Sequence, residues 1–399
     1  MWDAGIIVPT AKVPVNVATF VSYILPPLLL YFTMAVLVIT PQTRALRVAC
    51  WPVVALLAWR ATFGLDMTPI SSEEIQVELA IPMLVIATRA LYWALVKEPL
   101  VRQLRPVNST PSTLMDAFDL VSNFRGYGWD WSRGLYVPRD TRPSDRIGFV
   151  SHVILSAVVH AFLLSTFSRA LQSFSPVGLG SFVGGSIFDE TLPFHMRYLR
   201  SSILCIMGGI VAYFSLQMNH DLCTLVGVLF LGQDPAQWPP SLDAPWRATS
   251  LADFWGRRWH QLLRHLFLVQ GGYPLGFLFD RAGLVIGAFL SSAVFHHILL
   301  YSLDRTSRLW WMLAGFGMMG PGILAERAFE RWTGRKVGGF AGWVWTMAWL
   351  VCWGNWIVDG FVRAALFRST SAWVDVVPVL PTRYDINLDS FQYLYQPTA

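Results

Sequence analysis

Charge is scarce in this chain. Only 14% of its residues are Asp, Glu, Lys or Arg, against about 25% in soluble domains. That leaves too little polar surface to coat a water-facing globule. Cysteine is scarce as well: the four cysteines (Cys50, Cys205, Cys223, Cys352) lie in or beside apolar runs, and none has CxxC spacing. Neither a disulfide framework nor a zinc site is indicated. No internal repeat, low-complexity tract or soluble second domain interrupts the sequence, so residues 1–399 read as one domain.

What the chain has instead is apolar length. Hydrophobic residues make up 54% of it, with 19 Trp and 26 Phe, a composition that fits aromatic belts at lipid–water interfaces. Runs near the ~20 residues that span a bilayer occur at about 15–40, 46–64, 77–96, 147–168, 201–232, 274–303, 309–325 and 341–366. The expected fold is therefore all-α, a polytopic membrane bundle of about eight transmembrane helices. The first run is too long for a signal-peptide core and reads as a retained helix. The run 201–232 is either one long helix or a helix and return broken at Asn219, His220 and Asp221.

The formal charge of +5 does not point to nucleic acid, because the basic residues sit between apolar runs, where they set orientation. Counting 201–232 once places Arg44/Arg47, Arg102 to Arg146, Arg247 to Arg264 and Arg327 to Lys336 on one side, the cytosolic one. Asp66, Glu73, Glu74 and the Asp-bearing C-terminal tail fall on the other. The sequon Asn108-Ser109-Thr110 then faces the cytosol and reads as a chance match.

The segment 241–267, SLDAPWRATSLADFWGRRWHQLLRHLF, carries the strongest local signal. Ser250 followed by Asp253 is a capping-box start. Leu251, Phe254, Trp255, Trp259, Leu262, Leu263, Leu266 and Phe267 form a stripe at helical spacing. At 100° per residue Asp253, Arg257, His260 and Arg264 share the opposite side. The expectation is an interfacial amphipathic helix, Trp-rich face down. Further on, His296 lies in the apolar run GLVIGAFLSSAVFHHILLYSL with Ser292 one turn before it, placed to hold the ring. An ionisable residue in such a run is expected to face a bundle interior or cavity. His297 points about 100° away.

Phe254-Trp255-Gly256-Arg257-Arg258-Trp259-His260 resembles the FWGRRWH signature of the wax synthase-like branch of the membrane-bound O-acyltransferases. Arg125-Gly126-Tyr127-Gly128-Trp129-Asp130-Trp131 resembles the RGxGWxW motif of its fungal members, and Ser292-Ala293-Val294-Phe295-His296 the SGxxH of the catalytic helix. Ala293 stands where the family carries Gly, and His297 makes a doublet that leaves open which imidazole acts. The resemblance spans about residues 100–360.

The resemblance implies a helical bundle around a reaction chamber, acyl-CoA as co-substrate with no resident cofactor or metal, and a lipophilic hydroxyl acceptor. It makes His296 and His260 the catalytic pair, with Asp253 and Ser292 in support. Arg257, Arg258, Arg264, Trp255 and Trp259 become the acyl-CoA contacts, arginine being geometrically suited to phosphate. Fungal members of this length point to acetyl-CoA and a terpenoid or meroterpenoid hydroxyl in secondary metabolism, in the endoplasmic reticulum membrane. A long-chain acyl-CoA:alcohol transferase is the alternative within the class, and a proton-coupled transporter the alternative outside it.

One distance resists this picture. With Asp280 and Arg281 at the cytosolic interface, His296 lies about 22 Å further in at 1.5 Å per residue, far from a His260 on the rim. Either 250–267 dips into the membrane or Asp280 and Arg281 face a water-filled tunnel. The remaining histidines show no ligand spacing: His152 and His160 are eight apart in one run, with no acid evident nearby. Asp359 and Arg363, at i and i+4, read as a local ion pair.

Overall fold

The structure, a computed structural model, describes residues 12–67, 73–105, 110–132, 134–174, 185–303, 307–364 and 366. Asn108 and Ser109 of the sequon and the C-terminal tail lie outside the described residues. The described residues are mainly helical. Among the described residues, six helical stretches are long and apolar enough to cross a membrane by length and composition: 17–39, 44–64, 76–95, 146–173, 194–230 and 264–303. The two further expected spans are helical too, but 339–363 carries five tryptophans and 309–333 is interrupted.

In chain order, α1 (Val17–Tyr23) and α2 (Leu25–Ile39) pack with α3 (Arg44–Gly64), α4 (Glu73–Leu95) and the short α5 (Thr113–Ser122). Small residues let these helices approach closely: Ala35, Ala58, Ala61 and Ala90 are fully or almost fully buried beside Met34 and Trp93. Tyr31 stacks on Trp93 at 4.5 Å. A minimal parallel pair, β1 (Val13–Pro14) with β2 (Leu65–Asp66), ties the start of the chain to the end of α3. Arg47 is buried and donates to the carbonyls of Trp93 and Val96 at the end of α4, satisfying groups that a helix C-terminus leaves open.

Next come α6 (Arg146–Ser173) and α7 (Phe194–Leu225), an antiparallel pair. The outer face of α6 exposes Ile147, Ile154, Leu155, Val158 and Phe162, a surface suited to lipid rather than water. On α7 the sequence's ambiguity resolves: the helix runs through Asn219, His220 and Asp221 without a break and continues into a π-helical turn, Val226–Phe230. This is one element, beginning at Phe194 rather than 201.

The last part holds α8 (Leu251–Asp253), α9 (Arg264–Phe267), α10 (Tyr273–Leu303), α11 (Leu309–Met312), α12 (Met319–Thr333) and α13 (Gly339–Arg363). The 264–303 stretch is not straight. Phe279 and Asp280 leave the helical region, Asp280 with φ 52°, and the chain folds back on itself there. Ser291 Oγ donates to the Phe267 carbonyl at 3.1 Å, and Gly271 faces Gly287 as Leu275 faces Gly283. These contacts step outward in even increments, the register of a tight antiparallel helical hairpin. Glycine permits it: a Cβ on Gly271 or Gly287 runs into the carbonyl oxygen of the other. The expected span 274–303 is thus corrected, since its first residues belong to the opposite limb.

Candidate active site

The segment expected to form one interfacial helix over 250–267 does not. Ser250 Oγ does accept from the Asp253 N–H at 3.0 Å, half of the predicted capping box. Leu251–Asp253 is α-helical and is followed by a π-turn, Phe254–Arg258; Trp259 is then extended, and α-helix resumes only at Arg264. Buried Gln261 holds the break open by donating from Nε2 to the carbonyls of Trp255 (3.0 Å) and Trp259 (3.2 Å). Periodicity alone could not reveal this, because a side chain had taken the place of the next helical turn.

The segment's entry is fixed from elsewhere. Glu326 on α12, 6% exposed, accepts from the backbone N–H of Leu251 (2.6 Å) and Ala252 (3.1 Å) and from the Trp345 indole (3.0 Å). A carboxylate on the open amides of a helix start is favoured by charge and by hydrogen bonding. From there the segment runs down along α10. Leu251 packs with Val285, and Trp255 meets Phe289 at 5.5 Å and Phe316 at 6.4 Å. At its foot His260 reaches the wall of the cavity that His296 also lines. Of the two ways to close the distance to His296, the first holds: the segment descends into the bundle, and residues 264–278 carry the chain back out.

His260 and His296 line one cavity of about 1470 Å³, walled by α4, α6, α7, α10, α12 and α13. His296 donates from Nδ1 to the Ser292 carbonyl at 2.7 Å, and the Ser292 hydroxyl is further off at 3.4 Å. The backbone, rather than the expected side chain, therefore orients the ring. A carbonyl can only accept, so Nδ1 carries the proton and Nε2 is left as the basic nitrogen. The ring stacks on Phe316 at 4.1 Å. His297 lies outside the cavity wall, beside Tyr301. Burial, with His296 a lesser contributor, pushes the His260 imidazole down to about 4, and its Nδ1 has no partner among the described residues.

The expected donor contacts divide. Trp255, Trp259 and Arg264 line the cavity. Arg257 is exposed. Arg258 is engaged structurally, donating from Nε to Asp253 at 2.5 Å and from Nη1 to the Asp243 carbonyl at 3.2 Å. Asp253, Arg257, His260 and Arg264 do not form one helical face, because the helix ends between them. A basic residue not singled out from the sequence, Arg327 on α12, lines the cavity. Arg264 and Arg327 make no ion pair among the described residues. The positive-inside pattern had marked Arg327 as a topological charge, and nothing in its spacing set it apart.

The RGxGWxW stretch braces the same segment from outside. Arg125 donates to the carbonyls of Pro239 (3.2 Å) and Pro240 (2.8 Å), and the Trp129 indole to Asp119 at 2.7 Å. Gly126, at φ 70°, leaves room for the Trp131 ring, which a Cβ would strike. Trp131 in turn meets His265 edge-on at 4.6 Å. Tyr136 donates to Asp243 at 2.9 Å. Two further readings are settled by partners. Asp359 and Arg363 do pair, at 2.7 Å. His160, read as lacking an acid, meets Asp221 of α7 at 2.7 Å. Their separation of 61 positions hid the pair.

Residues 238–317 match the model of the membrane bound O-acyl transferase family. An O-mevalon transferase, yanI, of Aspergillus niger is 30% identical over 172 residues, 41% of this chain and 36% of its own length. The acetyltransferase ple2 of Rhodocybe pseudopiperita is 27% identical over 281 residues, 63% and 68% respectively. A probable long-chain-alcohol O-fatty-acyltransferase of Arabidopsis thaliana is 28% identical over 145 residues, 35% and 41%. The chain thus spans between 36% and 68% of the length of these relatives. The region that resembles the membrane bound O-acyl transferase family comprises the descending segment and the His296 limb of the hairpin of this integral membrane chain.

Proposed function

We propose that the protein transfers an acetyl group from acetyl-CoA to a hydroxyl of a lipophilic acceptor, a terpenoid or meroterpenoid intermediate. The observation that carries this reading is the convergence of His260 and His296 on one apolar cavity. His296 Nε2 takes the acceptor's proton as the hydroxyl oxygen bonds to the thioester carbon, a role matched to a neutral imidazole near pH 7. The carbonyl oxygen becomes an oxyanion, stabilised by an N–H from His260. The C–S bond then breaks, and the proton held by His296 passes to the departing thiolate, giving coenzyme A and the ester. Arg264 and Arg327 hold the donor's phosphates, arginine being suited to them. Arg258 serves instead to hold Asp253 and the turn.

The acetyl assignment is supported by the name of a fungal relative, an acetyltransferase. The cavity's size, above the ~300–1,000 Å³ of ordinary small-molecule sites, favours a second reading: transfer of a long-chain acyl group to an alcohol, as the plant relative's name indicates. Residence in the endoplasmic reticulum, where acyl-CoA and membrane-dissolved acceptors meet, belongs to both readings.

Microsomes bearing the protein, given labelled acetyl-CoA or palmitoyl-CoA with terpenoid and fatty alcohols, test both. Acetyl ester dependent on His296 is the expected result. Palmitoyl ester instead retains the mechanism and replaces the substrate, and ester formation undiminished in His296→Ala overturns the base.

A further inference from the structure

A third imidazole, largely but not fully buried, faces the same cavity and takes no part in the chemistry above. His160 sits in mid-α6, its Nδ1 at 2.7 Å from Asp221 Oδ2 on α7 and 3.3 Å from Ser156 Oγ. Asp221 is 5% exposed, and Nδ1, between two oxygens, is held as the donor. Nε2 has no partner among the described residues, and the His160 side chain forms part of the cavity wall. Its surroundings are apolar: the ring lies 6.0 Å from Phe214, which stacks on Phe167 at 5.9 Å, with Leu163 alongside on the wall.

A largely buried His–Asp pair is an expensive way to join two helices, since apolar residues of similar volume usually do as well or better. Ionisable groups within membrane helices are retained chiefly for a task. Here the pair presents a single oriented acceptor nitrogen on a wall of phenylalanine and leucine, carried by helices other than those bearing His260 and His296.

We infer that His160, oriented by Asp221, is a binding subsite for a second hydroxyl on the acceptor. The inference rests on the acyl-transfer reading and deepens it: the acceptor is a lipophilic diol. One hydroxyl lies at His296, and the other donates to His160 Nε2 while the carbon skeleton packs against Phe167 and Phe214. His160 thus fixes which hydroxyl is esterified. It touches the acceptor but moves no proton in the reaction.

The test compares wild type, His160→Phe and His160→Gln in microsomes at matched membrane abundance. Each receives acetyl-CoA with a sesquiterpenoid mono-alcohol or with a diol of the same skeleton. For His160→Phe, losing one hydrogen bond raises KM for the diol about tenfold or more, with kcat and the KM values for mono-alcohol and acetyl-CoA within about twofold. The diol is then acetylated at both positions rather than one. His160→Gln, which retains a polar atom near Asp221, recovers most of the diol KM. Equal rises for both alcohols, a fall in kcat with both, or no change would overturn the subsite and reduce the pair to a helix clasp or a catalytic group. Wild type forming no ester with either alcohol would overturn the acetyl-transfer reading, and the subsite with it. Ester formation in which the diol shows no specific loss overturns the subsite alone.

Discussion

The two halves of this bundle are built on different terms. In α2, α3 and α4 the helices are α-helical from end to end, and alanines pressed between them are almost fully buried. From Leu251 to Gly317 the chain carries three π-helical turns, at Phe254–Arg258, Leu268–Gly272 and Leu313–Gly317, and a fold-back at Phe279–Asp280. A scaffold region can keep regular helix throughout, even across Pro52 and Pro82. A region that must bring an imidazole from a loop to one in a helix departs from it, and π-turns recur where function imposes such departures.

If that contrast is right, the largest effect comes at its centre. His296→Ala lowers the ester-forming rate by about 10²–10⁴-fold, the range for removing a general base, while His297→Ala leaves it within a small factor. A radiolabel assay at matched protein abundance separates the two, and equal losses would dissolve the distinction drawn from the cavity wall. The hairpin comes next. Gly287→Ala drives a methyl into the Gly271 carbonyl, costing the folded state several kcal/mol, about 3 or more by analogy with overpacked cores. Gly209→Ala on α7 meets nothing within 4 Å and is neutral or slightly stabilising. Melting temperatures in detergent read both.

Glu326→Ala leaves two amides and an indole without their acceptor, at a cost of about 3 kcal/mol. Glu326→Gln, keeping one oxygen, loses about half of that. Thermal unfolding measures the difference, and an unchanged Tm would mean the descending segment is held by other contacts. Smaller still, Arg327→Ala raises KM for acyl-CoA about tenfold with kcat retained, whereas Arg257→Ala, exposed and outside the cavity wall, moves it little.

The smallest effect is one of pH. Burial holds His260 near 4 in the folded chain against 6.5 for a free imidazole. Between those values the unfolded chain binds a proton that the folded chain refuses. Stability therefore falls as pH drops from about 6.5 toward 4 and is regained above that window. His260→Asn flattens this limb in a series of detergent melts, and an unaltered slope would place the imidazole in water rather than in the wall.

Much of the site was legible in the residues because its chemistry is concentrated in two short strings. FWGRRWH names His260, Trp255 and Trp259, SSAVFH names His296 and Ser292, and all of these reach the cavity. Asp253 and Arg258 were legible as residues but not in their use, since their 2.5 Å ion pair forms only because the helix changes pitch between them. Glu326 was not legible, and Arg327 and Asp221 were legible only as a topological charge and a possible helix break. Glu326 and Asp221 meet their partners across tens of residues of chain, Arg327 reaches the cavity only through the packing of α12, and nothing local distinguishes any of them from an ordinary membrane-edge charge or helix polar residue.

By itself the sequence determined the consequences of composition and local order. Scarce charge with long apolar runs dictates helices that satisfy their own backbone in lipid, and the motif strings dictate which imidazoles and arginines are available. Tertiary structure alone decided the rest. It turned the chain at Asp280 because paired glycines allow two helices to touch there. It ended the motif helix at Trp259 because Gln261 caps it and Glu326 anchors its start. Hydrophobic periodicity reports which face of a helix is buried, not whether the helix continues, and only packing supplies the partners that decide.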